Sequence, residues 1–380
     1  MLHSPLLDMQ RRLSPNLVLA PALDGAWELP AEYAPHQMHA EYESVRRAGG
    51  AGVIDRSWRS VLRLTGPDRH AFLQGMVSND ILALGPNTGC RAAFLDTTGH
   101  LLADLRVWNA PDALLVETDP QVSARLFQSL DMYLIMEDVQ IADVSSDWAL
   151  LSVRGDNTFP AVSSVLSPPL APDLPPMSLH AVLFSGGANG FVAVPDTSEL
   201  PGLNLWVPAA SAPAVWEALL SAGVVPVGER AADILRIEAG AAVWGRELSD
   251  TVLLPEADLP DTISYTKGCY IGQEIIARLR ARGHANRALR GILLPDTAPV
   301  PGDNATLHAP EHGPDAGREI GRITSAAASP RFGGRPLALG YVRREFMEPG
   351  TPVAVHLPQP DGTVFTFPAI VLTRPFSLPE

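Results

Sequence analysis

Lys267-Gly-Cys-Tyr-Ile-Gly-Gln-Glu274 packs an ammonium, a thiol, two glycines and a carboxylate into one short run. Gly268 and Gly272 give the backbone freedom to turn tightly or to approach a ligand closely. The segment 274–282 continues with Ile275, Ile276 and Leu279 at helical spacing. That spacing sets Cys269 just before, or at, a helix N-terminus, with Lys267 two residues away. A helix N-terminus and a neighbouring ammonium both favour thiolate over thiol, which is the chemistry of a reactive cysteine. The competing reading is a glycine-rich turn around a small core cysteine. Between Lys267 and Arg290 six Lys and Arg residues stand against the single acid Glu274. Such a stretch in an acidic chain suits a specific anionic ligand, or else a solvated helix face. Arg278, Arg280 and Arg282 add to the positive field downstream of Cys269.

Two acids stand in apolar surroundings. Asp104 lies inside Leu101-Leu-Ala-Asp-Leu-Arg-Val107, where strict alternation puts Leu102, Asp104 and Arg106 on one face. It reads as a carboxylate aimed at an amine-bearing ligand, or as a solvent-facing partner of Arg106 of little energetic value. Glu238 sits on a helical run, 229–239, beside Ile234, Leu235 and Ile237. One carboxylate can accept two adjacent N–H groups, a paired geometry that gives specificity as well as energy. The plain alternative is a helical pair with Arg236 or a solvent-facing acid. No G-x-S-x-G elbow and no H-E-x-x-H supports a hydrolase.

The elements that must position these residues come from a chain of 380 residues, too long for one core. Its net charge of −14 argues against general nucleic-acid or anionic-membrane binding. Cys90 and Cys269 are its two cysteines, with no CxxC pair and no Cys/His cluster at ligand spacing. That excludes a disulfide framework and argues against a self-contained zinc or iron–sulfur site. No apolar run reaches bilayer length, and the first residues lack the apolar core of a signal peptide, so the expectation is a cytoplasmic protein.

Residues 1–36 show no sustained period and read as a poorly ordered extension. Helical spacing follows at 37–47, 68–76, 120–133, 212–221 and 229–239. Strand-like runs occur at 52–56, 60–65, 90–96, 101–108, 113–117, 139–144 and 148–153. Paired strands alternating with helices, without regular βαβ spacing, make an α+β chain with mixed or antiparallel sheets. Ser185-Gly-Gly-Ala-Asn-Gly190 lacks the G-x-x-x-x-G-K-S/T form and precedes a strand-like run, so it reads as a hairpin turn. After Arg287 short apolar runs at 288–294, 304–308, 319–325, 336–343, 352–356 and 364–373 alternate with turn residues. That spacing means a small C-terminal β-barrel or sandwich.

KGCYIGQE resembles the signature of the YgfZ-type folate-binding proteins, which belong to the superfamily of the glycine-cleavage T-protein, the aminomethyltransferase. Gly52-Val-Ile-Asp-Arg-Ser57, Leu64-Thr-Gly-Pro-Asp68, Phe72-Leu-Gln-Gly75 and Ser78-Asn-Asp80 resemble the superfamily's N-terminal pattern. Gly99-His-Leu-Leu-Ala-Asp-Leu-Arg-Val107 and Arg236-Ile-Glu-Ala-Gly240 resemble two further segments, in the family's order. The resemblance implies a three-domain architecture around a central folate cavity. Its core domain takes 37–150 plus 230–285, a second α+β domain takes 151–229, and the barrel takes 286–380.

It also implies that Asp104 faces the reacting end of tetrahydrofolate, although Ala103 replaces the first of the pattern's two acids. Glu238 matches the pterin-binding glutamate. Arg246, in Trp244-Gly-Arg-Glu-Leu248, stands where the pattern has histidine. Lys267, Gly268, Gly272 and Gln273 join the cofactor-binding set, and Cys269 is the working thiol. The function implied is a tetrahydrofolate-binding accessory protein that supports iron–sulfur cluster assembly or repair and iron–sulfur enzymes such as tRNA-modifying ones, with those proteins as partners. The alternative is the aminomethyltransferase itself, passing a one-carbon unit to tetrahydrofolate. A third class is an interaction module with a vestigial folate cavity, against which the retained Asp104 and Glu238 speak.

Overall fold

In the strand Leu101–Asn109, buried and half-buried side chains alternate from Leu101 through Val107, as a strand with one apolar face must. It belongs to a five-stranded sheet ordered Gly89–Leu95, Leu101–Asn109, Leu114–Thr118, Ser60–Thr65, Gln140–Asp143. The helix Pro120–Tyr133 buries Val122, Leu126 and Leu130 at one-turn spacing, and Asp119 caps it by accepting from the Gln121 N–H. The computed structural model on which these statements rest describes residues 2–23, 25–171, 173–196, 200–310, 317–374 and 376.

A second, six-stranded sheet runs Leu179–Leu183, Asn189–Ala193, Gly202–Pro208, Trp148–Arg154, Gly52–Asp55, Val225–Pro226. Its core gathers Val53, Leu151, Val153, Leu205 and Trp216. The stretch 185–190 is a hairpin connection, with Leu183 opposite Asn189. The C-terminal strands close a six-stranded barrel in the order Arg287–Leu293, Arg335–Arg343, Glu319–Ser329, Thr306–His308, Pro352–Pro358, Val364–Leu372. Ile292, Leu307, Ile323 and Val355 are among the residues that fill it. The chain is therefore α+β with a terminal barrel, the class its periodicities imply.

The chain divides into two compact units. One takes Met1–Phe94, Leu102–Ala232 and Asp261–Ile271; the other takes Leu95–Leu101, Asp233–Pro260 and Gly272–Glu380. The strand Trp148–Arg154 pairs with Gly52–Asp55 as well as with Gly202–Pro208, so 151–229 shares a sheet with residues that precede it. Local periodicity fixes a strand and not its partner.

The expectation of a poorly ordered N-terminal extension is corrected. Leu2–His3, Trp27–Glu32 and Val18–Pro21 form a three-stranded sheet, and Leu7–Leu13 is a helix. The segment is anchored by polar contacts to buried Asp55, which accepts from the Ser4 hydroxyl at 2.5 Å and the Gln10 side-chain amide at 3.0 Å. Hydrophobic spacing carries no trace of such an anchor.

The helix Gln273–Arg282 begins on Gly272, whose φ of 81° is a left-handed conformation. A Cβ there would meet the Asp96 carbonyl oxygen at 2.4 Å and Leu95 at 2.9 Å. Gly99, in the same hairpin turn, lies against Ile275. A Cβ on Gly268 would meet nothing within 4 Å. Gly272→Ala should therefore lower unfolding free energy by about 2 kcal/mol or more, while Gly268→Ala should stay within about 0.5 kcal/mol. Denaturant unfolding of the two variants checks this, and similar midpoints would refute it.

Candidate functional site

Strand alternation places Asp104 and Arg106 on one face of the five-stranded sheet, and Arg91 arrives beside them from Gly89–Leu95. Arg91 Nη2 donates to both carboxylate oxygens of Asp104, at 3.1 and 3.4 Å. Arg91 Nε also lies 3.8 Å from Asp196 Oδ2, and Arg106 Nε lies 3.7 Å from the same oxygen. Arg106 is directly opposite Glu117 in the strand register, with Nη1 3.8 Å from its Oε1. Arg59 Nε donates to that Oε1 at 2.9 Å. The result is a line of alternating charge: Asp104, Arg91, Asp196, Arg106, Glu117, Arg59. Side-chain exposure across the six runs only from 5% to 15%. The surface-pair reading of Asp104 is thereby excluded, since its partner is Arg91 and both are nearly enclosed. Removing one partner of a buried pair strands the other charge, at a cost of about 3–5 kcal/mol.

The motif loop is built differently from the sequence expectation. Lys267 Nζ donates to the carbonyl oxygens of Gln74 at 2.6 Å, Val77 at 2.6 Å and Asn79 at 2.8 Å. Gln74 is in the last turn of Arg69–Met76 and Val77 is its C-cap, so the ammonium closes a helix C-terminus. Burial pulls its pKa down to about 8, against the favourable fields of Asp80 and Cys90. The rest of the loop is fastened to the same residues. Ser264 N–H donates to Ser78 O at 3.0 Å, Ser78 Oγ to Thr262 O at 2.5 Å, and Ile271 N–H to Gly75 O at 3.3 Å.

Cys269 is exposed and precedes the N-cap Gly272 by three residues. Its expected activation by Lys267 is corrected, because that ammonium is committed to carbonyl groups and its field falls on Cys90. The helix itself starts where its spacing implies, at Gln273. Arg278 pairs with Glu274 at 2.9 Å on the surface, and the Arg282 side chain lies outside the described residues. The basic run finds acids from elsewhere in the sequence: Arg287 donates to Glu256 at 2.9 Å and Arg290 to Asp258 at 2.6 Å. The anionic ligand expected from that run loses its main argument.

Glu238 is fully buried, its Oε1 accepting from the Ser329 hydroxyl at 2.5 Å and the Arg331 N–H at 3.4 Å. It is neither solvent-facing nor the partner of Arg236. Arg236 donates instead to Asp233 at 2.8 Å, Glu247 at 3.0 Å and Ser325 at 2.9 Å. A bulge between Ile323 and Ser325 turns the hydroxyls of Thr324 and Ser325 onto Glu247. Arg246 pairs with Asp233 at 3.3 Å, and both are partly exposed.

The GCVT N-terminal domain matches residues 22–267, and the glycine cleavage T-protein C-terminal barrel domain matches residues 287–377. The chain belongs to the glycine-cleavage T-protein family. Curated relatives include an aminomethyltransferase of Rubrobacter xylanophilus, 30% identical over 90% of this chain and 87% of the relative. Another is an aminomethyltransferase of Nostoc sp., 28% identical over 93% and 90%. A putative chloroplastic transferase of Arabidopsis thaliana is 29% identical over 80% and 68%. The glycine cleavage system aminomethyltransferase T of Bartonella henselae shares the fold, with a TM-score of 0.84, 21% identity and coverage of 99% and 98%.

Within this T-protein fold, sequence reasoning singled out Asp104 and missed Arg91, Asp196, Glu117 and Arg59. Arg91 carried the same signal as Asp104, a charge inside an apolar strand, Gly89-Cys-Arg-Ala-Ala-Phe-Leu95. Asp196 follows the strand Asn189–Ala193 and had no local mark. Among the described residues no group of three His, Cys, Asp or Glu is placed to hold a metal ion.

The thiols differ in a measurable way. Cys90 is half-buried, and desolvation pushes its pKa up to about 12. Thiolate is the reactive form, so iodoacetamide at pH 8 should modify exposed Cys269 at least about tenfold faster than Cys90. Comparable slow labelling of both, followed by mass spectrometry, would show that Cys269 is protected in solution.

Proposed function

We propose that the protein binds tetrahydrofolate and transfers an aminomethyl-derived one-carbon unit to it. The observation that carries this reading is Asp104, retained on the sheet face with its carboxylate bonded to Arg91, in a chain whose curated relatives include aminomethyltransferases. In the reaction, the folate supplies an amine that attacks a protein-bound aminomethyl group, and ammonia leaves. This chain's part is to place an oriented acceptor beside the folate amines. A carboxylate held by a guanidinium is suited to that, since it keeps its orientation when the ligand arrives. Asp104 acts without a neighbouring acid, because Ala103 is buried and apolar. Glu238 is enclosed and bonded to Ser329, so in this reading it supports its own surroundings rather than the folate.

A second reading is favoured by a different observation: Cys269 is exposed within KGCYIGQE, a motif that the aminomethyltransferase pattern lacks. On this reading the protein is a YgfZ-type accessory that binds folate, supports iron–sulfur proteins and tRNA-modifying enzymes in the cytoplasm, and works through its thiol. Among the described residues no helix is long and apolar enough to cross a membrane.

Two measurements separate the readings. An aminomethylated carrier protein should release ammonia when the purified protein and tetrahydrofolate are added. Asp104→Asn should slow that release about a hundredfold while tetrahydrofolate affinity changes far less. Folate binding without release, together with loss of iron–sulfur enzyme activity in cells carrying Cys269→Ala, would move the assignment to the accessory role. Absence of folate binding would remove both.

Glu238→Gln keeps an acceptor for Ser329 and should bind tetrahydrofolate within about threefold of the parent, whereas Glu238→Ala should melt earlier, by about 1–3 kcal/mol. A loss of folate affinity in the Gln variant larger than its loss of stability would put the carboxylate back against the ligand.

A further inference from the structure

We propose that Arg91 is a positioning residue for Asp104, and that Asp196 in turn holds Arg91, so that the acid is aligned by the line of charges behind it. This inference rests on the folate reading above and deepens it. Arg91 bonds the Asp104 carboxylate and reaches both its oxygens. One guanidinium nitrogen, Nη2, reaches both oxygens, and the planar group it belongs to is turned by Nε toward Asp196, so the donor's direction as well as its charge is set.

The next links determine where Arg91 itself can sit. Asp196 lies between Arg91 and Arg106, 3.8 Å from one and 3.7 Å from the other. Arg106 is fixed by register opposite Glu117, and Glu117 is tied to Arg59. Because the signs alternate, each group is attracted by its neighbours and repelled by the next of like sign. Displacing Arg91 toward Asp104 therefore weakens its attraction to Asp196, and displacing it toward Asp196 weakens its bonds to Asp104. The backbone carbonyl of Asp104 is held separately by the Thr118 hydroxyl at 3.0 Å, so the strand position does not depend on Arg91. The side chain does.

A structural role alone predicts equal damage along the line, whereas positioning predicts a gradient. Arg91→Met should lower the rate of aminomethyl transfer roughly a hundredfold, as a displaced acid group does, with little change in the Michaelis constant for tetrahydrofolate. Arg91→Lys, which restores the charge without the fork, should recover part of that loss. Arg59→Met, at the far end and also largely enclosed, should lose at least tenfold less than Arg91→Met. Equal loss at Arg59 and Arg91, or an unaffected rate in Arg91→Met, would overturn the proposal.

Carbodiimide labelling of Asp104, read by mass spectrometry at a temperature where all variants are folded, needs no turnover. It should rise severalfold in Arg91→Met and stay at the parent level in Arg59→Met. If the parent protein shows no transfer activity, the functional reading falls. The labelling then decides the coupling alone, and unchanged labelling in Arg91→Met rejects it.

Discussion

Charge removed from water must be matched within the protein, and the face of the five-stranded sheet is organised by that requirement. Three arginines and three acids lie there with at most 15% of each side chain exposed. An isolated charge so placed would cost several kcal/mol. Alternation is the arrangement that satisfies all six, since each inner member has opposite charges on both sides. It binds residues far apart in sequence, from Arg59 to Asp196, to one geometry. The exposed pair of Arg278 and Glu274 makes the contrast: similar groups at 2.9 Å, but solvated, screened and of small value.

What was legible in the sequence was what repeats along it. The helices Ala212–Ser221 and Glu229–Ala239 have the bounds their spacing implies, and the barrel strands fall on the apolar runs after Arg287. Asp104 was visible because an acid interrupts an apolar strand. What was hidden is made by partners across the fold. Asp55 anchors Ser4 and Gln10, the strand Trp148–Arg154 pairs with Gly52–Asp55, and Arg91 with Asp196 completes the environment of Asp104. None of these leaves a period, because polar pairs across strands depend on topology rather than on local pattern.

The motif KGCYIGQE shows the same division. Its residue types were read as one chemical constellation, yet the structure separates them by job. Lys267 closes a helix end, Gly272 permits a turn that no other residue enters without strain, and Gln273 and Glu274 open a helix. Cys269 is left as the exposed group whose chemistry the scaffold does not use. A motif can thus be family-specific because several unrelated structural demands fall on adjacent residues.

The fastening of Lys267 to Gln74, Val77 and Asn79 also bears on the order in which the chain matures. The segment 69–79 leaves the ribosome early, with its helix C-terminus still open to water. Its closing cation arrives only once synthesis has passed residue 267. Joining segments so distant costs loop entropy before any contact repays it, and topologies of this kind fold slowly. The first unit therefore remains incomplete throughout most of translation. The motif loop is its latch, the last segment of that unit to be synthesised.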